Sequence, residues 1–140
     1  MGTLSGLRRL LAGILLLGMT GTFLELLLLK HHEDGIQLVP LVLLATGVVS
    51  VAWHAWTRSA ASGTAVRVLM ALFIAAGLAG VYYHFAANVE FQRETDPALR
   101  GSALVWQALE AKVPPALAPG VMLQLGLIGL AYTYRHKERR

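Results

Sequence analysis

Four apolar stretches, at residues 10–29, 36–56, 66–87 and 117–134, limit what this chain can become. Each is close to the roughly 20 residues that a helix rising 1.5 Å per residue needs to cross a hydrocarbon layer roughly 30 Å thick. Inside lipid there is no water to satisfy backbone N–H and C=O groups, so runs of this length read as helices that bond internally. Only 14% of the residues are charged and the mean hydropathy is +0.58, against a charged share of about 25% in soluble domains. The expected fold is therefore all-α: an integral membrane four-helix bundle forming one domain over residues 1–140.

The first run is broken only by Glu25. It is longer than the 7 to 15 residues, roughly, of a signal-peptide core, and no Ala-x-Ala pattern follows it, so it reads as a helix of the mature protein. Gly6 stands where a myristoylation signal carries Ser or Thr. Pro40 falls in the first turn of the second run, where its missing N–H does no harm. The tract 57–64 is short enough to make the second and third helices antiparallel neighbours. Small residues suited to close helix approach recur: Gly18 and Gly21 in the first run, Ala75 with Ala79 and Gly77 with Gly80 in the third, Gly126 and Gly129 in the fourth. Between the third and fourth runs, Asp96-Pro97 reads as the N-cap and first turn of a helix over 97–112. There Leu99, Ala103, Trp106, Leu109 and Val113 recur at steps of three and four, which predicts an amphipathic surface helix anchored at the interface by Trp106.

The basic residues set an orientation. With four crossings, Arg8, Arg9, Arg58, Arg67, Arg135, Lys137, Arg139 and Arg140 fall on one side, and Lys30, Arg93, Arg100 and Lys112 on the other. The asymmetry predicts a bacterial inner-membrane protein with both termini cytoplasmic. Trp53, Trp56, Tyr132 and Tyr134 then line the inner interface, and Tyr82, Tyr83 and Trp106 the outer one. His54, between the two tryptophans, reads as interfacial. A pI near 9.9 raises nucleic acid as a partner, but the basic residues mark the ends of apolar runs and form no stripe, so the expected partner is the lipid bilayer and not nucleic acid.

The polar groups left over gather near the outer face. Glu25 lies at the outer end of the first run, with His31, His32, Glu33 and Asp34 just beyond it, and His84, Asn88, Glu90 and Glu94 follow the third. A buried carboxylate costs roughly 2.5 to 3.5 kcal/mol at the centre of a membrane helix, so Glu25 calls for a partner or a watery cavity. One further helical turn would put Glu25 and His32, seven apart, on one face; His84 and Asn88, four apart, share another. Glu25 and Asn88 are candidates for binding protons or a ligand, and His32, His84, Glu90 and Glu33 for binding a divalent metal. With no cysteine in the chain, disulfides, thiolate ligands and iron–sulfur clusters are excluded, and an imidazole and carboxylate set suits Zn, Cu(II), Fe or Mn. No spacing matches His-Glu-x-x-His. A quinone headgroup, or a haem between His84 and His31 or His32, is a weaker alternative.

Three functions fit these residues. The first is a non-catalytic accessory or subunit protein of a larger membrane complex, with the outer polar groups as a binding site. The second is a small proton- or ion-coupled transporter acting as a homodimer through Glu25. In length, number of spans and a single carboxylate in the first helix, the chain is similar to the small multidrug-resistance transporters, although Glu25 lies nearer the helix end than theirs. The third is a membrane metalloenzyme. The spans carry few other polar groups, whereas a transport path usually needs several along its length, which favours the first.

Overall fold

A computed structural model describes residues 3–134; the terminal basic residues Arg135, Lys137, Arg139 and Arg140 lie outside the described residues. Among those described the molecule is all-helical, with five α-helices: α1 (Thr3–Leu28), α2 (Leu38–Thr57), α3 (Ala60–Thr95), α4 (Gly101–Glu110) and α5 (Gly120–Thr133). The first three are long and apolar enough to cross a membrane. Helix α5 spans only 14 residues, about 21 Å at 1.5 Å per residue and so shorter than the roughly 30 Å hydrocarbon layer.

The helices alternate in direction. α1 packs on α2, α2 on α3, α3 on α5, and α5 back on α1, a closed ring of contacts, while α4 leans on α3 alone among the helices with substantial contacts. Helix α1 ends in a Schellman-type turn: Lys30 adopts φ 54°, its N–H donates to Leu27 O at 3.0 Å, and the His31 N–H donates to Leu26 O at 2.8 Å. That closure stops the helix short of His32, so the expected shared face of Glu25 and His32 does not form. At the next connection Ser59 caps α3 by accepting from the Ser62 N–H at 3.2 Å.

Inside the ring, Leu15, Met19, Leu44, Val51, Val66, Met70 and Phe73 are fully buried, with Met122 and Leu125 nearly so. Two glycines set the distance between α3 and α5. A Cβ at Gly77 would lie 2.6 Å from the Leu123 backbone nitrogen, and one at Gly126 would lie 2.7 Å from the Met70 carbonyl oxygen, so only glycine permits this approach. Gly80 also serves the contact, against Pro119, whereas Ala75 and Ala79 face outward.

Outside the ring the surface is apolar. Only 11%, 28% and 22% of the most apolar stretches of α1, α2 and α3 is buried, leaving Leu10, Leu17, Leu24, Val42, Val49, Val68, Leu72 and Leu78 among many exposed large side chains. Apolar patches beyond a few hundred Å² are rare on proteins that live in water. The chain is built to be solvated by lipid.

Several elements differ from their expected limits: α1 starts already at Thr3, taking in Arg8 and Arg9, and α5 covers only Gly120–Thr133. α3 runs on to Thr95 and is 36 residues long, about 54 Å. Asp96 is accordingly its C-cap and not an N-cap: its carboxylate accepts from the Ala98 N–H at 3.0 Å, and α4 starts only at Gly101. In α4 the buried side chains are Leu104 and Ala108, whereas Trp106, Leu109 and Val113 of the expected stripe are exposed. The stripe therefore faces away from the protein.

Candidate functional site

Polar groups sit at the two ends of the ring with an apolar middle between them. Among the described residues the buried polar side chains are Ser50, His54, Ser62, Thr133 and Asn88. The first four belong to the end where α1 begins, and Asn88 to the other.

The end that carries Glu25 and His84 is organised by two side chains one turn apart on α3. Asn88, 3% exposed, donates through Nδ2 to Ala108 O at 3.1 Å and to Pro114 O at 3.0 Å. The first of these is a carbonyl of the last turn of α4, which has no partner within its own helix. Asn88 thus closes the C-terminus of α4 and holds the turn that follows. One turn back, His84 donates from Nδ1 to Pro115 O at 2.9 Å, a bond that fixes the Nδ1–H tautomer and makes Nε2 the basic nitrogen. The predicted common face of His84 and Asn88 is therefore real, and it clasps the Pro114–Pro115 turn leading into α5.

His31 packs against the same clasp from the α1–α2 turn. Its ring lies edge-on to that of His84, with centroids 6.5 Å apart. Partial burial, and after it the charge that His84 can carry, hold the His31 imidazole below its ordinary pKa of 6.5. The neutral form of His31 is favoured.

The other expected site residues stay apart. Glu25 is exposed in the last turn of α1, and its carboxylate has no hydrogen bond or ion pair among the described residues. His32 and Glu33 are exposed in the turn, where the Glu33 backbone N–H donates to Gln37 Oε1 at 3.1 Å. Glu90 is exposed on α3 beside Arg93 and Glu94, along an open groove. Among the described residues no three His, Asp or Glu side chains come together to hold a metal, so His32, His84, Glu90 and Glu33 do not form one ligand set. The candidate anchors Trp53, Trp56, Tyr82, Tyr83 and Trp106 are all exposed.

The opposite end holds a network that the tryptophans had obscured. His54 is fully buried within the protein: its Nδ1 lies 2.8 Å from Ser62 Oγ, and its ring meets Tyr132 edge-on at 5.7 Å. Ser62 Oγ also lies 3.1 Å from Thr57 Oγ1 and 3.0 Å from Ser59 Oγ, which joins the end of α2 to the start of α3. The signal was present in the sequence, because Leu44, Gly47, Val51 and His54 recur at steps of three and four along the buried face of α2. Ser50, one turn before His54 on that face, has no hydrogen-bond partner. Ser62 and His84 are 22 residues apart on α3, about 33 Å, so His54 and His84 cannot share a haem.

No family model matches the chain, and neither a curated protein nor a solved structure resembles it significantly. The geometry alone carries the functional reading.

Proposed function

We propose that the chain is a small polytopic membrane protein serving as an accessory or subunit of a larger membrane complex. In this reading α5 and its flanking turns make a fourth crossing that completes a four-helix bundle, and α4 lies on the membrane surface with Trp106 toward lipid. The basic end faces the bacterial cytoplasm, so both termini are cytoplasmic. The observation that carries the reading is the dry interior. Met19, Leu44, Met70, Phe73 and Leu125 fill the space between the His54 network and the Asn88 clasp, and a transport path needs polar or hydrated groups along its length. Glu25, exposed on the apolar stretch of α1 that follows Arg9, is then a docking group for a basic residue of a partner.

The test joins two measurements. Membranes solubilised in a mild detergent are expected to release the chain in an assembly larger than its own dimer, and Glu25→Leu to release it alone. Reconstituted protein is expected to show no ion-coupled flux. A free monomer or homodimer whose flux disappears in Glu25→Gln would overturn the proposal in favour of the transporter. Because the chain has no cysteine, Thr3→Cys and Thr95→Cys report orientation directly by labelling from the two sides.

A further inference from the structure

We propose that His31 and His84 together bind a divalent transition-metal ion of the zinc and copper class, which ties the α1–α2 turn to the clasp on α3. His31 comes from the turn that ends α1 and His84 from α3. Both are half-buried, so a dissolved ion can reach them. Their ring centroids lie 6.5 Å apart. Two imidazoles held to one ion by Zn–N bonds of about 2.0 to 2.1 Å have ring centres about 5 Å apart at a tetrahedral angle, and about 6.4 Å apart when opposed. The pair thus stands within about 1.5 Å of ligating geometry, a shift that the side chain of His31, carried on an exposed turn, can supply. The ring planes cross at 64°. They do not form a face-to-face stack, in which the in-plane lone pairs of the nitrogens would point past each other.

The bond that His84 already makes is an independent reason. Metal-binding histidines almost always donate their other ring N–H to a carbonyl or carboxylate, which fixes the tautomer and strengthens the ligating nitrogen. His84 has that arrangement: Nδ1–H donates to Pro115 O at 2.9 Å, and Nε2 keeps its lone pair. Charge points the same way. Glu33 and Asp34 follow His31 in the same turn, where Lys30 is the one basic residue, and a local excess of negative charge favours a cation. Two imidazoles fill two positions of a tetrahedral ion and water the others, and imidazole suits zinc, copper and nickel where magnesium and calcium want oxygen. The set differs from the one read off the sequence, since His31 joins His84 while His32, Glu33 and Glu90 stand apart. This inference does not depend on the chain being a subunit of a complex.

The full-length protein, purified in a neutral detergent without a polyhistidine tag and stripped with EDTA, is titrated with zinc chloride while its melting temperature is followed. An ion that binds only the folded state stabilises it by mass action. The melting temperature is therefore expected to rise with the logarithm of the zinc concentration beyond saturation, to return on adding EDTA, and to ignore magnesium chloride. His31→Gln and His84→Gln, each measured against its own metal-free melting temperature, are expected to weaken zinc binding about tenfold or more, since loss of even an outer partner of a ligand costs about 10- to 100-fold. His31→Gln leaves the bond from His84 to Pro115 in place, so its fold is kept. His32→Gln and His136→Gln are expected to leave the response unchanged. With one equivalent of Cu(II), the nitrogen splitting in electron paramagnetic resonance is expected to report two imidazoles in the wild type and one in His31→Gln. No zinc-dependent rise in the wild type, a full rise in His31→Gln, or an equal loss in His32→Gln would overturn the proposal.

Discussion

Gly77→Ala tests the packing of α3 on α5 most directly. The added Cβ would stand 2.6 Å from the Leu123 backbone nitrogen, and 3.2 Å from its Cα and Cβ. The obstacle is backbone in the first turn of α5, which no rotamer change can move. The two helices must separate by about 1 Å to restore van der Waals distance, and overpacking of this kind costs about 1 to 3 kcal/mol. Against it stands the helix propensity of alanine, worth about 1 kcal/mol over glycine. The expected net loss is about 0 to 2 kcal/mol, and larger again for Gly77→Val. Gly21→Ala is the control, because nothing lies within 4 Å of its Cβ position; propensity alone acts there, and the change is expected to be neutral or to stabilise by up to about 1 kcal/mol. Denaturant titration in detergent, followed by circular dichroism, measures both. A Gly77→Ala protein as stable as Gly21→Ala would refute the helix contact described above.

Further expectations concern the two polar ends. Lowering the pH from 7.5 to 5 is expected to destabilise the wild type, because His31 binds its proton more weakly folded than unfolded; its contribution is intact above pH 6.5 and fades as pH falls below it. His31→Gln should flatten that dependence in thermal melts. Asn88→Ala should cost about 1 to 3 kcal/mol by leaving Ala108 O and Pro114 O without their donor, with faster amide exchange across α4 as its local signature. Ser62→Ala removes the partner of buried His54 Nδ1 and should cost about 1 to 2 kcal/mol, whereas Ser50→Ala should be neutral or mildly stabilising, since its hydroxyl has no partner to lose. Equal effects of the two serine substitutions in the same melts would contradict the network.

Hydropathy made the long helices legible, because a run such as residues 36–56 has no other way to satisfy its backbone in lipid. It was a poor guide where helices leave the apolar layer. Residues 88–95 lie beyond the apolar run, yet Glu90, Gln92, Arg93 and Glu94 are good helix formers, and α3 simply continues through them. The tryptophans beside His54 drew attention to the interface, although one face of α2 carries the buried spacing and the indoles the exposed one. The common face of His84 and Asn88 followed from their spacing, but the groups they hold are backbone carbonyls of a turn far along the chain. No local pattern announces such partners.

The apolar middle of that ring has an electrical consequence. An ion entering from either end would have to shed its hydration against methionine, leucine and phenylalanine with no ligand in return, an expense of many kcal/mol. In a membrane, the voltage would therefore fall across a continuous insulating plug. Cells producing the chain in quantity should keep their proton gradient, and a voltage-sensitive dye should register no leak.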